Sequence, residues 1–164
     1  MTYTIKVIAA LAAVLALGCG SAIRIDNTGS GTTFTLGEAE EHVQIEGDHL
    51  TIDDHIHFAT NEATILEDSN DLLEQIAIVL KNHTEITGVQ VVGHTDDVGG
   101  DADNLDLSER RAAAVADALR GRGVTQTLNS RGAGEGEPLC QEATDECRAQ
   151  NRRVEFIIET TPAS

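Results

Sequence analysis

The chain has 164 residues, carries a formal net charge of −17 and contains no tryptophan, with only 2% aromatic residues. Sites for sugars and for single-stranded nucleic acids usually stack their ligands on aromatic side chains, and an acidic surface repels phosphate backbones. The composition therefore argues against both kinds of site and predicts no nucleic-acid partner.

The first eighteen residues have the features of a bacterial export signal. A positive start precedes an apolar stretch over residues 7–17, which is too short to span a bilayer. Glycines flank Cys19 in an arrangement that resembles a lipoprotein cleavage site, so we expect residues 1–18 to be removed and Cys19 to be acylated. Because Ala16 and Leu17 stand in the reverse of the usual order, an ordinary signal peptide cut nearby is the alternative.

A flexible leader and a β-hairpin are predicted next. Residues 19–41 include a Gly-Ser-Gly run and few apolar positions, which is typical of a tether. A strand begins at Val43, and the pair Gly47-Asp48 supplies a two-residue turn. The return strand should alternate apolar and polar residues from Leu50 to Phe58, so that one of its faces is half-buried.

Two helices and three further strands follow. Ser69 is expected to cap the first helix, whose apolar residues recur on one face. That face comprises Leu72, Leu73, Ile76, Val79 and Leu80. A strand over 87–94 leads to a polar loop, and Ser108 should cap a second helix that glycines end. Residues 127–133 and 154–159 form the last two strands.

This order of elements predicts an α+β fold. After the first hairpin strand the pattern is β-α-β-α-β-β, which implies a mixed sheet with the helices packed mainly on one face. We expect the folded domain to occupy residues 42–160, between the leader at 19–41 and a short tail at 161–164.

The three cysteines divide into one and a pair. If Cys19 takes lipid, Cys140 and Cys147 remain to form a disulfide in an oxidising compartment. A pair of metal ligands is the alternative, but it lacks a second cysteine or histidine pair at suitable spacing. The disulfide would close a loop of eight residues, from 140 to 147, and would stabilise the fold by roughly 2.5 kcal/mol in the chain-entropy model.

One carboxylate and one guanidinium are expected to face a common pocket. Asp96 follows the β-branched run over 89–92, and Arg111 lies in the first turn of the predicted second helix. No nucleophile and base accompany them in this segment. The pair therefore predicts recognition of a ligand that carries both charges, with no enzymatic activity and no cofactor.

Five motifs, in order along the chain, resemble those of the OmpA-like peptidoglycan-binding domains. They span residues 56–158. The motifs are Ile56-His57-Phe58; Gly93-His94-Thr95-Asp96 with Gly99; Asn104 with Leu107-Ser108 and Arg111-Ala112; Gly132-Ala133-Gly134 with Pro138; and Asn151-Arg152-Arg153-Val154-Glu155. With Cys19, the whole chain resembles the peptidoglycan-associated lipoproteins of that family.

The resemblance implies a ligand, the diaminopimelate of the peptidoglycan stem peptide. The family's two principal contact residues correspond to Asp96 and Arg111. The free end of diaminopimelate is a zwitterion, so Asp96 can take its ammonium while Arg111 grips its carboxylate. Open N–H groups near Ser108 would add a favourable dipole. Of the adjacent Arg152 and Arg153, we expect one to reach the pocket, with Arg152 favoured, and the other to brace carboxylates of this acidic chain. Further contact positions correspond to Asn61, Asn104 and Arg152.

The function that the resemblance implies is non-catalytic. We expect a lipid-anchored protein on the periplasmic face of the outer membrane that binds peptidoglycan non-covalently and links the membrane to the cell wall. The alternative is an envelope scaffold that docks Tol-type or other periplasmic proteins, which the acidic surface and the leader favour.

The two principal site residues also have purely structural interpretations. Asp96 can cap the local loop, as aspartate often does after a strand. Arg111 can pair with Asp106 or Glu109 on the helix surface, although its neighbour Arg110 suits a solvated role better. The sequence alone leaves both interpretations open.

Metal sites are the last alternative. His55 and His57 share one face of the predicted strand, but a zinc ion that activates water needs three protein ligands, and His94 lies on a different strand. The acidic run that starts at Asp101 departs from the calcium-loop pattern at its fifth, sixth and twelfth positions. We therefore predict no metal site.

Overall fold

The computed structural model describes residues 43–52 and 54–160. The predicted signal peptide at 1–18, the leader at 19–41 with Cys19, and the tail at 161–164 lie outside the described residues. In the part of the chain that the structure covers, no helix combines the length and the hydrophobicity that crossing a membrane requires.

A five-stranded mixed sheet forms the centre of the domain. Its strands are β1 (Val43–Glu46), β2 (His49–Ile52), β3 (Ile86–His94), β4 (Thr127–Gly134) and β5 (Val154–Thr160). They lie side by side in the order β1-β2-β5-β3-β4. Only β3 and β4 run parallel, and the other neighbours are antiparallel. The last strand is therefore inserted between β2 and β3.

Three α-helices accompany the sheet in the described residues. They are α1 (Asn70–Asn82), α2 (Asp101–Gly121) and α3 (Asp145–Asn151), and a single 3-10 turn (Glu67–Ser69) precedes the first. Buried residues of α1 and α2 belong to one hydrophobic core together with residues of the sheet. The predicted α+β class, with a mixed sheet and its two main helices sharing one core, is confirmed.

The core is almost entirely aliphatic. Leu73, Ile76 and Leu80 of α1 and Leu119 of α2 are fully buried, and Phe156 is the largest fully buried side chain. In α1 these residues recur every three or four positions, which turns one face of the helix toward the sheet. Burying each such side chain contributes about 1.5–3 kcal/mol.

The first hairpin is shorter than the sequence predicts. Gly47, at a φ of 64°, makes the turn, but β2 ends at Ile52 instead of continuing to Phe58. Beyond that point the chain leaves the sheet, and Phe58 forms only an isolated bridge with Ile65. The alternating apolar residues still pack against the core, so burial without strand pairing explains the incorrect prediction. Ser69 stands at the predicted N-cap position of α1, but its Oγ accepts the backbone N–H of His57 at 2.8 Å and makes no cap bond to the helix.

Helix α2 begins seven residues before the predicted cap. Gly100 is the N-cap residue, and Asp101 lies in a first turn whose acidic side chains complement the helix dipole. Ser108 is fully buried inside the helix, where its Oγ accepts the N–H of Gly134 at 3.0 Å. A Cβ on Gly132 would lie 2.7 Å from the carbonyl oxygen of Leu105, so the sheet can approach the helix only where side chains are absent. Ser108 therefore marks helix–sheet contact and not a helix start.

The predicted disulfide is present, and the loop that it closes contains the start of a helix that the sequence analysis missed. Cys140 and Cys147 are bonded, with their Cα atoms 5.3 Å apart. Thr144 caps α3 by accepting the N–H of Cys147 at 3.2 Å. With seven residues, α3 is too short for an apolar repeat to appear in the sequence.

Candidate functional site

All five predicted ligand-contact residues line one cavity of about 510 Å³. We call it the Asp96–Arg111 cavity. It lies where the C-terminal end of β3 meets α2, α3 and the segment that follows the hairpin. Its charged and amide side chains are Asn61, Asp96, Asn104, Arg111, Asp145, Arg148 and Arg152. The described lining residues include no cysteine, serine or histidine.

Asp96 lies in the loop after β3 and is held by two hydrogen bonds. Its Oδ1 accepts the N–H of Val98 at 3.2 Å, and its Oδ2 accepts from Nη1 of Arg152 at 2.7 Å. Only 14% of the side chain is exposed. The loop-capping interpretation is thus correct as geometry, and the same carboxylate still borders the cavity.

Arg111 is fixed over an aromatic ring. Its Nε donates to the carbonyl oxygen of Glu62 at 3.0 Å, and its guanidinium carbon lies 5.0 Å from the centroid of the Phe58 ring. Burial lowers the pKa of the Arg111 guanidinium, and the negative charge of Asp96 opposes that change. The group stays protonated at neutral pH, because an arginine is charged far above that range.

The position of Arg111 along its helix differs from the prediction. Since α2 begins at Asp101, Arg111 lies about three turns from the N-terminus and not in the first turn. The predicted dipole contribution from open N–H groups near Ser108 is therefore wrong, because those groups are inside the helix. The alternative pairing with Asp106 is also wrong, since that carboxylate accepts from Arg110 at 2.8 Å.

The two adjacent arginines have different partners. Arg152 lines the cavity and pairs with Asp96. Arg153 instead pairs with Glu155, at 2.6 Å between Nη2 and Oε1. Contact of Arg152 with a ligand stays a prediction.

The two asparagines border the cavity in different ways. Asn61 has a φ of 59°, a left-handed conformation that asparagine tolerates better than most residues. Asn104 is only 6% exposed, and its Nδ2 donates to the carbonyl oxygen of Asp96 at 3.3 Å and to Oε2 of Glu135 at 2.6 Å. Its amide thus holds the loop that carries Asp96, and direct ligand contact by either asparagine stays a prediction.

Arg148 is a cavity residue that the sequence analysis missed. It projects from α3, and its Nε donates to Oδ1 of Asp97 at 2.8 Å. The hydrogen bond from this guanidinium lowers the pKa of Asp97. A threonine followed by two acidic residues, at 144–146, was the available sign of a helix start in this loop.

The three histidines considered as zinc ligands lie around a second, neighbouring cavity. His55, His57 and His94 all contribute to its lining, although no sequence pattern predicts that His94 lies near the other two. Across residues 43–52 and 54–160 no group of three histidine, cysteine or acidic side chains is arranged to hold a metal ion.

Comparison with known proteins places this architecture in a family. A model described as the OmpA family matches residues 57–152, which is 96 of the 164 residues. The chain belongs to the OmpA family. The matched segment contains every predicted ligand-contact residue of the Asp96–Arg111 cavity and both cysteines of the disulfide.

Individual OmpA-family relatives cover the same part of the chain. The "Probable lipoprotein YiaD" of Escherichia coli is 36% identical over 110 residues, which are 66% of this chain and 50% of the relative. Outer membrane protein A of Citrobacter freundii is 30% identical over 149 residues, with 78% of this chain and 63% of the relative covered. The chain thus spans only part of the length of these relatives.

Solved structures share the fold. The peptidoglycan-associated lipoprotein of Burkholderia pseudomallei superposes with a TM-score of 0.57 at 28% identity, covering 63% of this chain and 88% of that one. The C-terminal domain of MotB from Helicobacter pylori gives a TM-score of 0.61 at 26% identity, covering 68% and 87%.

Proposed function

We propose that this chain is a non-catalytic envelope lipoprotein that binds peptidoglycan non-covalently and links the outer membrane to the cell wall. The observation that carries the proposal is the convergence of Asp96 and Arg111 on one cavity of an OmpA-family domain. The names of a lipoprotein relative and of a peptidoglycan-associated structural neighbour support it.

The proposed ligand group is the free end of diaminopimelate in the stem peptide. Its ammonium would bind the carboxylate of Asp96, and its carboxylate would bind the guanidinium of Arg111 in a two-pronged contact. The contacts of Arg111 with Glu62 and Phe58 hold that guanidinium in place before the ligand arrives. Each charged hydrogen bond contributes about 1.5–3 kcal/mol, so a few of them suffice for specific binding.

Sedimentation with isolated sacculi tests the site. We expect the full chain, purified in detergent, to pellet with sacculi, and the variants Asp96→Asn and Arg111→Ala to lose about ten-fold or more in affinity. Arg110→Ala is the matched control, because Arg110 lies next to Arg111 but pairs with Asp106 on the surface. If both site variants pelleted as well as the parent, the site assignment would be wrong.

Competition with small ligands tests the zwitterion argument. Free meso-diaminopimelate should displace the chain from sacculi, and the amidated compound should do so less well because it lacks a carboxylate for Arg111. Equal displacement by the two compounds would contradict the role of Arg111 while leaving Asp96 as a candidate.

The proposed membrane link depends on acylation of Cys19, which lies outside the described residues. Each methylene of a buried acyl chain contributes about 0.8 kcal/mol, and more than one chain gives stable anchoring. Labelled palmitate should enter the parent chain and not Cys19→Ser, and the variant should leave the outer-membrane fraction. Labelling of both chains would argue against this anchor. A chain that recovered a Tol-type protein but no sacculi would favour the scaffold alternative.

A further inference from the structure

The second cavity adjoins the proposed ligand site and differs from it in charge. Its volume is about 370 Å³, and we call it the histidine cavity. Its polar lining residues are His55, His57, His94, Arg111, Arg152 and Arg153. Phe58, Arg111 and Arg152 line both cavities, so the two are separated by a single layer of side chains.

The described lining of the histidine cavity contains imidazoles and guanidiniums but no carboxylate. The acidic partners of two of these groups lie outside the lining. Oδ2 of Asp68 is 2.9 Å from Nδ1 of His57, and Oε1 of Glu155 is 2.6 Å from Nη2 of Arg153. Arg111 is held by a neutral carbonyl oxygen. In a chain with a net charge of −17, this concentration of donors is a local exception that favours an anionic ligand group.

A buried side chain in this lining has unused hydrogen-bonding capacity. His94 is 2% exposed, and neither of its ring nitrogens has a hydrogen-bond partner among the described residues. The nearest carboxylate oxygen, Oε2 of Glu155, lies 3.6 Å from Nε2. Burial and the charge of Arg153 lower the pKa of His94, so the ring is neutral and carries one N–H donor. Buried donors without partners cost stability, which a ligand acceptor would recover.

We propose that the histidine cavity binds a second carboxylate of the same peptide, on a residue next to the diaminopimelate. The inference rests on the proposed function and extends it from one amino acid to a peptide. Two sources share this chemistry: the free carboxylate of the acidic residue that precedes diaminopimelate, and the terminal carboxylate of the alanine that follows it.

A carboxylate fits this cavity better than a sugar does. Phe58 supplies the one ring of Phe, Tyr or Trp type in the described lining, and the guanidinium of Arg111 lies over a face of it. Sugar stacking would require an open ring face, whereas a carboxylate matches the edge of a guanidinium with two parallel hydrogen bonds. The shared wall through Arg111 and Arg152 lets neighbouring residues of one peptide occupy both cavities.

Calorimetry of the full chain with four probes tests the inference. The probes are free meso-diaminopimelate, the tetrapeptide L-Ala-D-Glu-meso-diaminopimelate-D-Ala, and that tetrapeptide amidated either at D-Glu or at its C-terminus. We expect the tetrapeptide to bind about ten-fold more tightly than free diaminopimelate, and one of the two amidated peptides to lose that gain. The peptide that loses affinity identifies the source of the carboxylate.

Two variants assign the effect to the histidine cavity. His94→Gln and His55→Gln should weaken tetrapeptide binding, by about ten-fold and about three-fold, and leave free diaminopimelate unchanged. His94→Gln should also be insensitive to the amidation that matters for the parent, because the same contact has already been lost. His83→Gln is the matched control, since His83 pairs with Glu85 and lines neither cavity.

The outcomes separate this inference from the proposed function. If free diaminopimelate binds but both amidated peptides bind as tightly as the parent tetrapeptide, the second subsite is wrong and the first stands. If neither free diaminopimelate nor any peptide binds, the proposed function fails and the inference fails with it. His55 is exposed, so its variant gives an answer even if replacement of the buried His94 prevents folding.

Discussion

Removing the Cys140–Cys147 disulfide should weaken ligand binding at the Asp96–Arg111 cavity as well as lower the free energy of unfolding. The bond closes the loop that contains the cap and the first residues of α3. That helix positions Arg148 against Asp97, and its C-cap residue is Arg152, which pairs with Asp96. A looser α3 therefore loses two ion pairs at the cavity wall, while the main core lies elsewhere.

The magnitude follows from how the loop is closed. The two cysteines are seven positions apart, and a loop of this length corresponds to roughly 2.5 kcal/mol of chain entropy. A second closure remains without the disulfide, because Oδ1 of Asn151 accepts the N–H groups of Leu139 and Cys140, and its Nδ2 donates to Cys140. We therefore expect the free energy of unfolding to fall by about 1–2 kcal/mol, less than the full chain-entropy value.

The assay compares the parent with a chain that carries Cys140→Ser and Cys147→Ser together. Urea titration gives the free energy of unfolding, and calorimetry gives the affinity for free meso-diaminopimelate, which should fall about three-fold to ten-fold. Asn151→Ala combined with both serine substitutions should lower the free energy of unfolding by more than the sum of the separate changes. The reason is that the Asn151 hydrogen bonds and the disulfide each keep the loop closed when the other is lost. Unchanged urea midpoint and unchanged affinity in the serine variant would refute the reasoning.

Three further predictions concern packing, the Asp96 loop and pH. Gly132→Ala should lower the free energy of unfolding by about 1–3 kcal/mol in urea titration, because its Cβ would lie 2.7 Å from the carbonyl oxygen of Leu105. Gly121→Ala, whose Cβ would meet nothing within 4 Å, should not lower it, and equal losses would contradict this packing argument. Asn104→Ala should lower the free energy of unfolding by about 1–3 kcal/mol by leaving two part-buried acceptors unpaired, and should also weaken diaminopimelate binding; a chain that lost neither would exclude the positioning role. Burial lowers the pKa of His94 from 6.5, so on acidification the unfolded chain binds a proton before the folded chain does. The free energy of unfolding therefore falls as pH drops through 6.5, and it levels off below the lower pKa of the folded state. The difference in unfolding free energy between parent and His94→Gln should change over this interval, and a constant difference would be evidence against it.

The secondary structure was predictable where the pattern was strong and local. The apolar repeat of α1 and the β-branched run of β3 gave both elements within a residue or two. The sequence misled where a residue type has two uses. Ser108 looks like a helix cap but braces α2 against Gly134, and the alternation up to Phe58 reports burial without strand pairing.

The sequence could predict only those site residues that come together because their elements are consecutive along the chain. Asp96 and Arg111 belong to consecutive elements, so motif order alone could bring them together. The histidine cavity depends instead on the insertion of β5 between β2 and β3, which places Arg153 beside His94 and near the segment around His55. Periodicity in a single sequence does not encode that strand order, so the cluster could not be anticipated.

Arg152 lines both cavities, so the proposed binding mode predicts that its contacts change when a peptide binds. Its side chain is 47% exposed, and an ion pair of that kind with Asp96 is worth about 0–1 kcal/mol, so a ligand ammonium can replace it at little cost. The released guanidinium already lines the histidine cavity, where a second carboxylate would bind it. Arg152→Ala should therefore weaken the tetrapeptide more than free meso-diaminopimelate in calorimetry. An equal loss for both ligands would mean that Arg152 serves the first cavity alone.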